Sequence, residues 1–319
     1  MQPLEQIPLA EIRAAAERIG GSAVRTPLLE LNVETDARVF LKLENLQPIG
    51  SFKLRGACNA MRKCDPATLA KGVCTASAGN MAQGVAWSAR AMGVPCHVIV
   101  PERAPQTKLD AVKRLGGHII KVPYDDWWQA IVTHEIPGLD ALFIHPVSDP
   151  DVMAGNGTIG LEILDDLPDV DTILIPYGGG GLSCGIASAV KTLKPNTKIF
   201  ACEVDTAAPF AASLEQNRPM EIEQSPSFVD GIGGKSVLTE MWPLASRLLD
   251  GSLVTNLEEI AAAIRTLIER NRVVAEGAGA STVANALAGA AGAGNVVCVV
   301  SGGNIDAAKL EIILGGGIP

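Results

Sequence analysis

The segment Ile175-Pro176-Tyr177-Gly178-Gly179-Gly180-Gly181-Leu182-Ser183 decides how the chain is read. An apolar, strand-like run at 172–176 leads into it, and a helical stretch at 182–193 leaves it. Four successive glycines at such a junction let backbone N–H groups converge on an anion, and the helix dipole adds positive potential. No lysine follows the glycines, so the segment is not a Walker A loop. The G-x-G-x-x-G register also fails, because Ser183 and Cys184 stand where the third glycine would be. A single phosphate monoester is the natural guest; a flexible turn is the plainer alternative.

Outward from this loop, short apolar runs alternate with helical ones. Residues 39–43, 72–75, 96–100, 118–122, 141–145, 198–203 and 296–300 read as further strands. Residues 81–92, 107–115, 257–269 and 280–291 read as helices. Repeated strand–helix alternation implies right-handed crossovers and a parallel sheet covered on both faces. Ligands in such sheets gather at the carboxyl ends of the strands. No internal repeat and no long linker divides the chain.

Composition agrees with that class. Of 319 residues, 47% are hydrophobic but only 4% aromatic, so the core rests on Ala, Val, Ile and Leu, which suits helices on a buried sheet. The net charge of −9, without a long basic tract, argues against a nucleic-acid partner. Seven scattered cysteines without CxxC spacing fit reduced thiols rather than a disulfide framework or a zinc ribbon. Residues 1–20 lack a signal-peptide core, and no apolar run approaches the roughly 20 residues of a membrane span. A cytoplasmic protein with no membrane partner is the expectation.

A second signal is Ser51-Phe52-Lys53-Leu54-Arg55-Gly56-Ala57. Pro48 and Gly50 set up a turn before a helix start, with Ser51 read as its cap. By itself Lys53 is an ordinary surface lysine. Its apolar flanks, Phe52 and Leu54, point instead to partial desolvation of the amine. Desolvation lowers a lysine pKa and improves attack on a carbonyl. A lysine together with a phosphate cradle is the minimum inventory for pyridoxal phosphate.

With these residues assembled, the chain resembles the fold type II pyridoxal-phosphate enzymes, and most of all their serine/threonine dehydratase and serine racemase branch. The motifs that carry the likeness are 51–57, Ser77-Ala78-Gly79-Asn80, the tetraglycine loop and Ser301-Gly302-Gly303-Asn304, with residues 145–162 adding to it. The resemblance implies an α/β, two-lobed fold with parallel or mostly parallel sheets flanked by helices. The large lobe would hold residues 1–56 and 146–319, and the small one residues 57–145. Lys53 would join the cofactor aldehyde covalently, with Phe52 beside the ring. Asn80 would bond the ring's 3′-oxygen, and Gly178, Gly179, Gly180, Gly181 and Leu182 would hold the phosphate. Ser301 would face the pyridine nitrogen. Ser77, Gly79 and Asn80 would bind the substrate carboxylate.

The implied activity is elimination of water from a β-hydroxy amino acid such as threonine, serine or a bulkier analogue like phenylserine, giving a keto acid and ammonia. In this reading the freed Lys53 amine removes the α-proton. A homodimer is expected from the family. Racemisation and β-replacement are the alternatives with the same cofactor, and non-catalytic nucleotide binding is the alternative from another class.

The chain departs from the family pattern in three places. Met81 replaces a common histidine, removing a donor and supplying a flexible apolar wall, which predicts room for a larger β-substituent. Trp127 and Trp128 are read first as core packing and only second as part of that pocket. Ala78 stands where racemases tend to carry a second proton-bearing serine, which favours dehydration. Some relatives bind a divalent cation, magnesium or calcium, after the strand at 199–202. Glu203 and the Ala207 carbonyl match that pattern, but Pro209 replaces a carboxylate ligand.

Overall fold

The computed structural model describes residues 2–319. Ten strands form two sheets: β1 Leu28–Glu30, β2 Arg38–Lys42, β3 Val73–Ala76, β4 Cys96–Pro101, β5 His118–Val122, β6 Leu142–Phe143, β7 Thr172–Pro176, β8 Lys198–Val204, β9 Gly251–Thr255 and β10 Asn295–Val299. The larger sheet runs β1-β2-β10-β7-β8-β9, and the smaller β5-β4-β3-β6. Every pairing is parallel except β1 with β2. The predicted class, α/β with mostly parallel sheets flanked by helices, is the one observed.

The central strand β7 is buried at all five positions, as expected of a strand covered on both faces. Its side chains alternate between two cores. Ile173 and Ile175 pack with helices Leu9–Ile19, Pro150–Asp166 and Gly181–Leu193. Leu174 packs on the other face with helices Leu257–Thr266 and Gly277–Leu287. A third core beneath the smaller sheet joins Val98 and Val100 to helix Asn80–Met92, with Val152 closing it from the larger sheet's side.

Eight of the strands fall where the apolar runs placed them. The two that the sequence hides, β1 and β9, are the edges of the larger sheet and are mostly half-buried or exposed. Strands with so little burial need no continuous apolar run. The helix predicted at 280–291 starts earlier, at Gly277, because its glycines let it press against Val229 and the Gly302 carbonyl.

On helix Lys53–Lys63, Arg55 is almost fully buried and donates to Glu44 at 2.8 Å and to Glu162 at 2.6 Å. Lys42, also buried, donates to Glu162 at 2.6 Å. Burial opposes the charge on Glu44, but the Arg55 guanidinium outweighs it and holds the carboxyl below its usual range. This network fixes the helix that carries Lys53 against the larger sheet.

Candidate active site

The Ser51 cap expected at the lysine helix is not formed. Helix Lys53–Lys63 has no side-chain cap, and the Ser51 hydroxyl is buried without a hydrogen-bond partner. Ser51 is instead in extended backbone pairing with Gly302, and the Phe52 N–H donates to the Ser301 carbonyl at 3.0 Å. Pairing to the chain after β10 therefore sets where the helix begins. It also brings the 51–57 and 301–304 motifs together, although some 250 residues separate them.

The side chain of Lys53 is half-buried, and its Nζ donates to the Pro146 carbonyl at 2.7 Å while lying 5.1 Å from the Phe52 ring centre. Burial lowers its pKa from 10.5 to about 8, with the nearby Glu276 pulling slightly the other way. The partial desolvation expected from the flanking residues is present. Pro146 sits in a turn braced by buried His145, whose Nδ1 accepts from the Ser148 N–H at 2.7 Å and the Val147 N–H at 3.2 Å. Burial, with His134 and Lys53 adding to it, lowers the His145 pKa to about 3, so this imidazole is neutral.

The glycine loop joins β7 to helix Gly181–Leu193, whose N-terminus has no side-chain cap. The first N–H groups of a helix have no partner within it, so this end is open to an anion. Two of the glycines have no substitute. Gly180 has φ +95°, which other residues rarely adopt, and a Cβ on Gly181 would meet the Val147 carbonyl oxygen at 2.5 Å.

One cavity of about 270 Å³ is lined by Phe52, Lys53, Gly178, Gly179, Gly180, Gly181 and Leu182, and also by Ser77, Gly79, Asn80, Met81 and Ser301. Every residue expected at the cofactor or substrate thus faces a single space. A buried amine at one end and an uncapped glycine-rich helix start at the other fit an aldehyde that bears a phosphate. Ser77 and Gly79 form the turn between β3 and helix Asn80–Met92, with the Ser77 hydroxyl accepting from the Gly79 N–H at 3.2 Å. Met81 is 2% exposed, so it is shared between this wall and the small core.

Asn80 is engaged on both sides: Nδ2 donates to Glu276 Oε1 at 2.8 Å and Oδ1 accepts from Asn304 at 2.8 Å. Glu276 escaped the sequence reading. It lines the cavity, and burial followed by the charge of Asp230 raises its pKa from 4.5 to about 7. The one available signal was a lone acid at the head of an Ala/Gly helix. Lys108 and Asp230, which also line the cavity and pair at 2.8 Å, were missed as well.

Glu203 and Ala207 lie away from this cavity. The buried Glu203 carboxylate accepts from the Phe210 and Ala211 N–H groups at 2.8 Å each and from the Ser252 hydroxyl at 2.5 Å. These donors fill both oxygens, and Pro209 opens the helix Pro209–Gln216 that supplies two of them. Glu203 is a helix-capping acid here, and the residues present do not fit a divalent cation. Among the described residues no group of three His, Cys, Asp or Glu side chains is arranged to hold a metal.

Comparison with known proteins shows the family. A family model described as "Pyridoxal-phosphate dependent enzyme" matches residues 20–302. An L-threonine ammonia-lyase of Thermotoga maritima is 39% identical over 98% of this chain and 79% of its own length. The structure of maize serine racemase superposes with a TM-score of 0.90 at 31% identity, covering 96% of each chain. Threonine deaminase isoform 2 of Solanum lycopersicum gives 0.88 at 33% identity, covering 99% of this chain and 95% of that one.

Proposed function

The chain belongs to the pyridoxal-phosphate dependent enzyme family, and from that premise we propose that it is an ammonia-lyase, eliminating water from a β-hydroxy amino acid to give an enamine that a water molecule then hydrolyses to a 2-keto acid and ammonia. The observation that carries this reading is the single cavity shared by the Lys53 amine and the glycine loop. The relatives named as threonine ammonia-lyase and threonine deaminase support the reaction class.

When bound, pyridoxal phosphate supplies an electron sink for the charge left at the α-carbon. Gly178, Gly179, Gly180, Gly181 and Leu182 would hold its phosphate on backbone N–H groups at the helix start. Phe52 would flank the ring, Asn80 would bond its oxygen substituent, and the Ser301 hydroxyl would face its nitrogen. A hydroxyl is a poor acid, so Ser301 would support only an uncharged ring, which suits prompt loss of a β-leaving group. Ser77, Gly79 and Asn80 receive the substrate carboxylate at the N-terminus of helix Asn80–Met92, where the dipole favours an anion.

Lys53 is the acid–base residue. With a pKa of about 8, its amine binds a proton near neutral pH and gives it up again at little cost. The Pro146 carbonyl, 2.7 Å away, orients that amine. Racemisation is the second reading, favoured by the likeness to maize serine racemase. Ala78 has no proton to offer at the opposite face, so deuterium exchange at Cα without keto-acid release is the result that would favour the racemase.

We assign residues 57–145 to a small lobe and residues 1–56 with 146–319 to a large one. Confinement of β3 to β6 within Val73–Phe143 supports this division. A cytoplasmic homodimer completes the proposal. Seven free thiols, six of them buried, support a reducing compartment, and no described helix is long and apolar enough to cross a membrane. Light scattering on the purified protein reads the oligomeric state.

The test of the activity is a keto-acid release assay over a panel of β-hydroxy amino acids, run beside Lys53→Ala. Release by the native chain, reduced at least about 100-fold in the variant, is expected. No release from any panel member, by protein whose cofactor absorbance is intact, sinks the lyase reading.

A further inference from the structure

A second cavity, of about 590 Å³, adjoins the first and shares Pro146, Val147, Gly178 and Gly179 with it. It therefore opens beside the carbonyl that orients the Lys53 amine. Helix Tyr124–Thr133 forms one wall with Tyr124, Trp127, Trp128 and Ile131. The opposite wall is the stretch where Glu221 pairs with Ser236, with Leu238 beside it.

The tryptophans do not pack in the core, as the sequence first implied. Trp128 is 40% exposed and Tyr124 54%, and of this helix only Ala130 is buried. Three aromatic rings in succession, with neighbouring centroids 5.6 and 6.3 Å apart, are thus presented to a cavity instead of to the interior. Leaving such rings in water without a partner is unfavourable, and aromatic side chains favour offset or tilted stacking with another ring. A buried ring nitrogen among the lining residues, Trp127 Nε1, also has no hydrogen-bond partner. An indole N–H is a donor only, and the π face of an aryl group accepts such an N–H weakly.

We propose that this cavity is the side-chain subsite of the enzyme, and that it selects amino acids carrying an aryl group on the β-carbon. The inference rests on the reading above that the cavity beside Lys53 receives an amino acid. A methyl or hydrogen substituent, as on threonine or serine, leaves the aromatic wall untouched. A phenyl ring reaches it past Pro146 and Val147. Trp128 is the principal specificity residue because it is the more exposed of the two tryptophans.

The experiment is isothermal titration of the holoenzyme with both enantiomers of phenylalanine and of alanine. Neither amino acid carries a β-hydroxyl, so binding is read without elimination. Even one methylene in an apolar pocket is worth about tenfold or more. The better-bound phenylalanine is therefore expected to bind at least about tenfold more tightly than the matching alanine. Trp128→Ala should bring that ratio to within about threefold of one, and Trp128→Phe should keep most of it. A native ratio near one, no binding of phenylalanine, or a ratio unmoved by Trp128→Ala overturns the subsite. Keto-acid release from serine, threonine and phenylserine is recorded in parallel. Its absence from all three counts against the lyase reading alone, because the binding ratio judges the subsite independently.

Discussion

Asn80 donates to Glu276 across 2.8 Å, linking the first residue of the helix after β3 to the residue that precedes helix Gly277–Leu287 on the larger sheet. The site is therefore closed by a side-chain contact between the two sheets, and its acid partner is a carboxyl with a pKa of about 7.

That pKa has a direction for stability. A carboxyl raised from 4.5 to about 7 favours the folded state when protonated. Its contribution is full below pH 4.5 and is lost as pH rises through 7. In the cofactor-free protein, the melting temperature of Glu276→Gln should therefore gain on that of the native chain by about 2–6 °C between pH 4.5 and 8. Parallel pH curves for the two proteins contradict the assignment.

Cofactor capture has its own pH signature. Only the unprotonated amine attacks an aldehyde, and Lys53 loses its proton near pH 8 instead of 10.5. The rate at which the cofactor-free protein takes up pyridoxal phosphate should rise through a midpoint near pH 8. Stopped-flow absorbance follows it, and a midpoint near 10.5 would show an amine exposed to solvent.

The loop at Gly181 tolerates no side chain. An alanine there sets a methyl 2.5 Å from the Val147 carbonyl oxygen, so either the loop or the Pro146–Val147 turn must move. Gly181→Ala is expected to weaken cofactor retention at least about tenfold, at a stability cost of about 1–3 kcal/mol. Spectra after dialysis measure the first and urea denaturation the second.

Removing Arg55 strands two acids. Glu44 is fully buried and Glu162 nearly so, and Lys42 is then the cation left paired with Glu162. Arg55→Ala should cost about 3–5 kcal/mol. Denaturant unfolding checks this, and a loss below 1 kcal/mol would mean that water enters and solvates the acids.

Chelation should do nothing. Because the Glu203 oxygens already accept from Phe210, Ala211 and Ser252, EDTA is expected to leave keto-acid release within about twofold. Glu203→Ala should instead destabilise the protein by about 1–2 kcal/mol through loss of the helix cap. A large loss of activity on chelation, restored by magnesium or calcium, reverses this assignment.

The reach of the sequence ran out for identifiable physical reasons. Lys53, the glycines and the Ser77–Asn80 turn were legible because their chemistry needs particular residues at strand-to-helix junctions, and such junctions leave a local pattern. Strands β1 and β9 were not, since an edge strand has little apolar face to display. Ser51 looked like a cap because capping residues are recognised by type alone, whereas the backbone pairing with Gly302 depends on a segment at the other end of the chain. Glu276 and Glu203 illustrate the same gap. An isolated acid gains its role from what surrounds it in three dimensions. The tryptophans of helix Tyr124–Thr133 were misplaced because size and apolarity describe a core wall and a pocket wall equally well.

The turn at Pro146 and Val147 serves several masters at once: its carbonyls steer the amine and crowd the glycine loop, and its outer side borders the aromatic cavity. The rings of helix Tyr124–Thr133 line the second cavity and not the one that holds the Lys53 amine. Selection acting on this helix is thus free to retune which amino acids are consumed, while the reacting centre is inherited intact. Laboratory diversification at positions 124, 127, 128 and 131 offers a route to new substrates that leaves the fold's most intolerant residues alone.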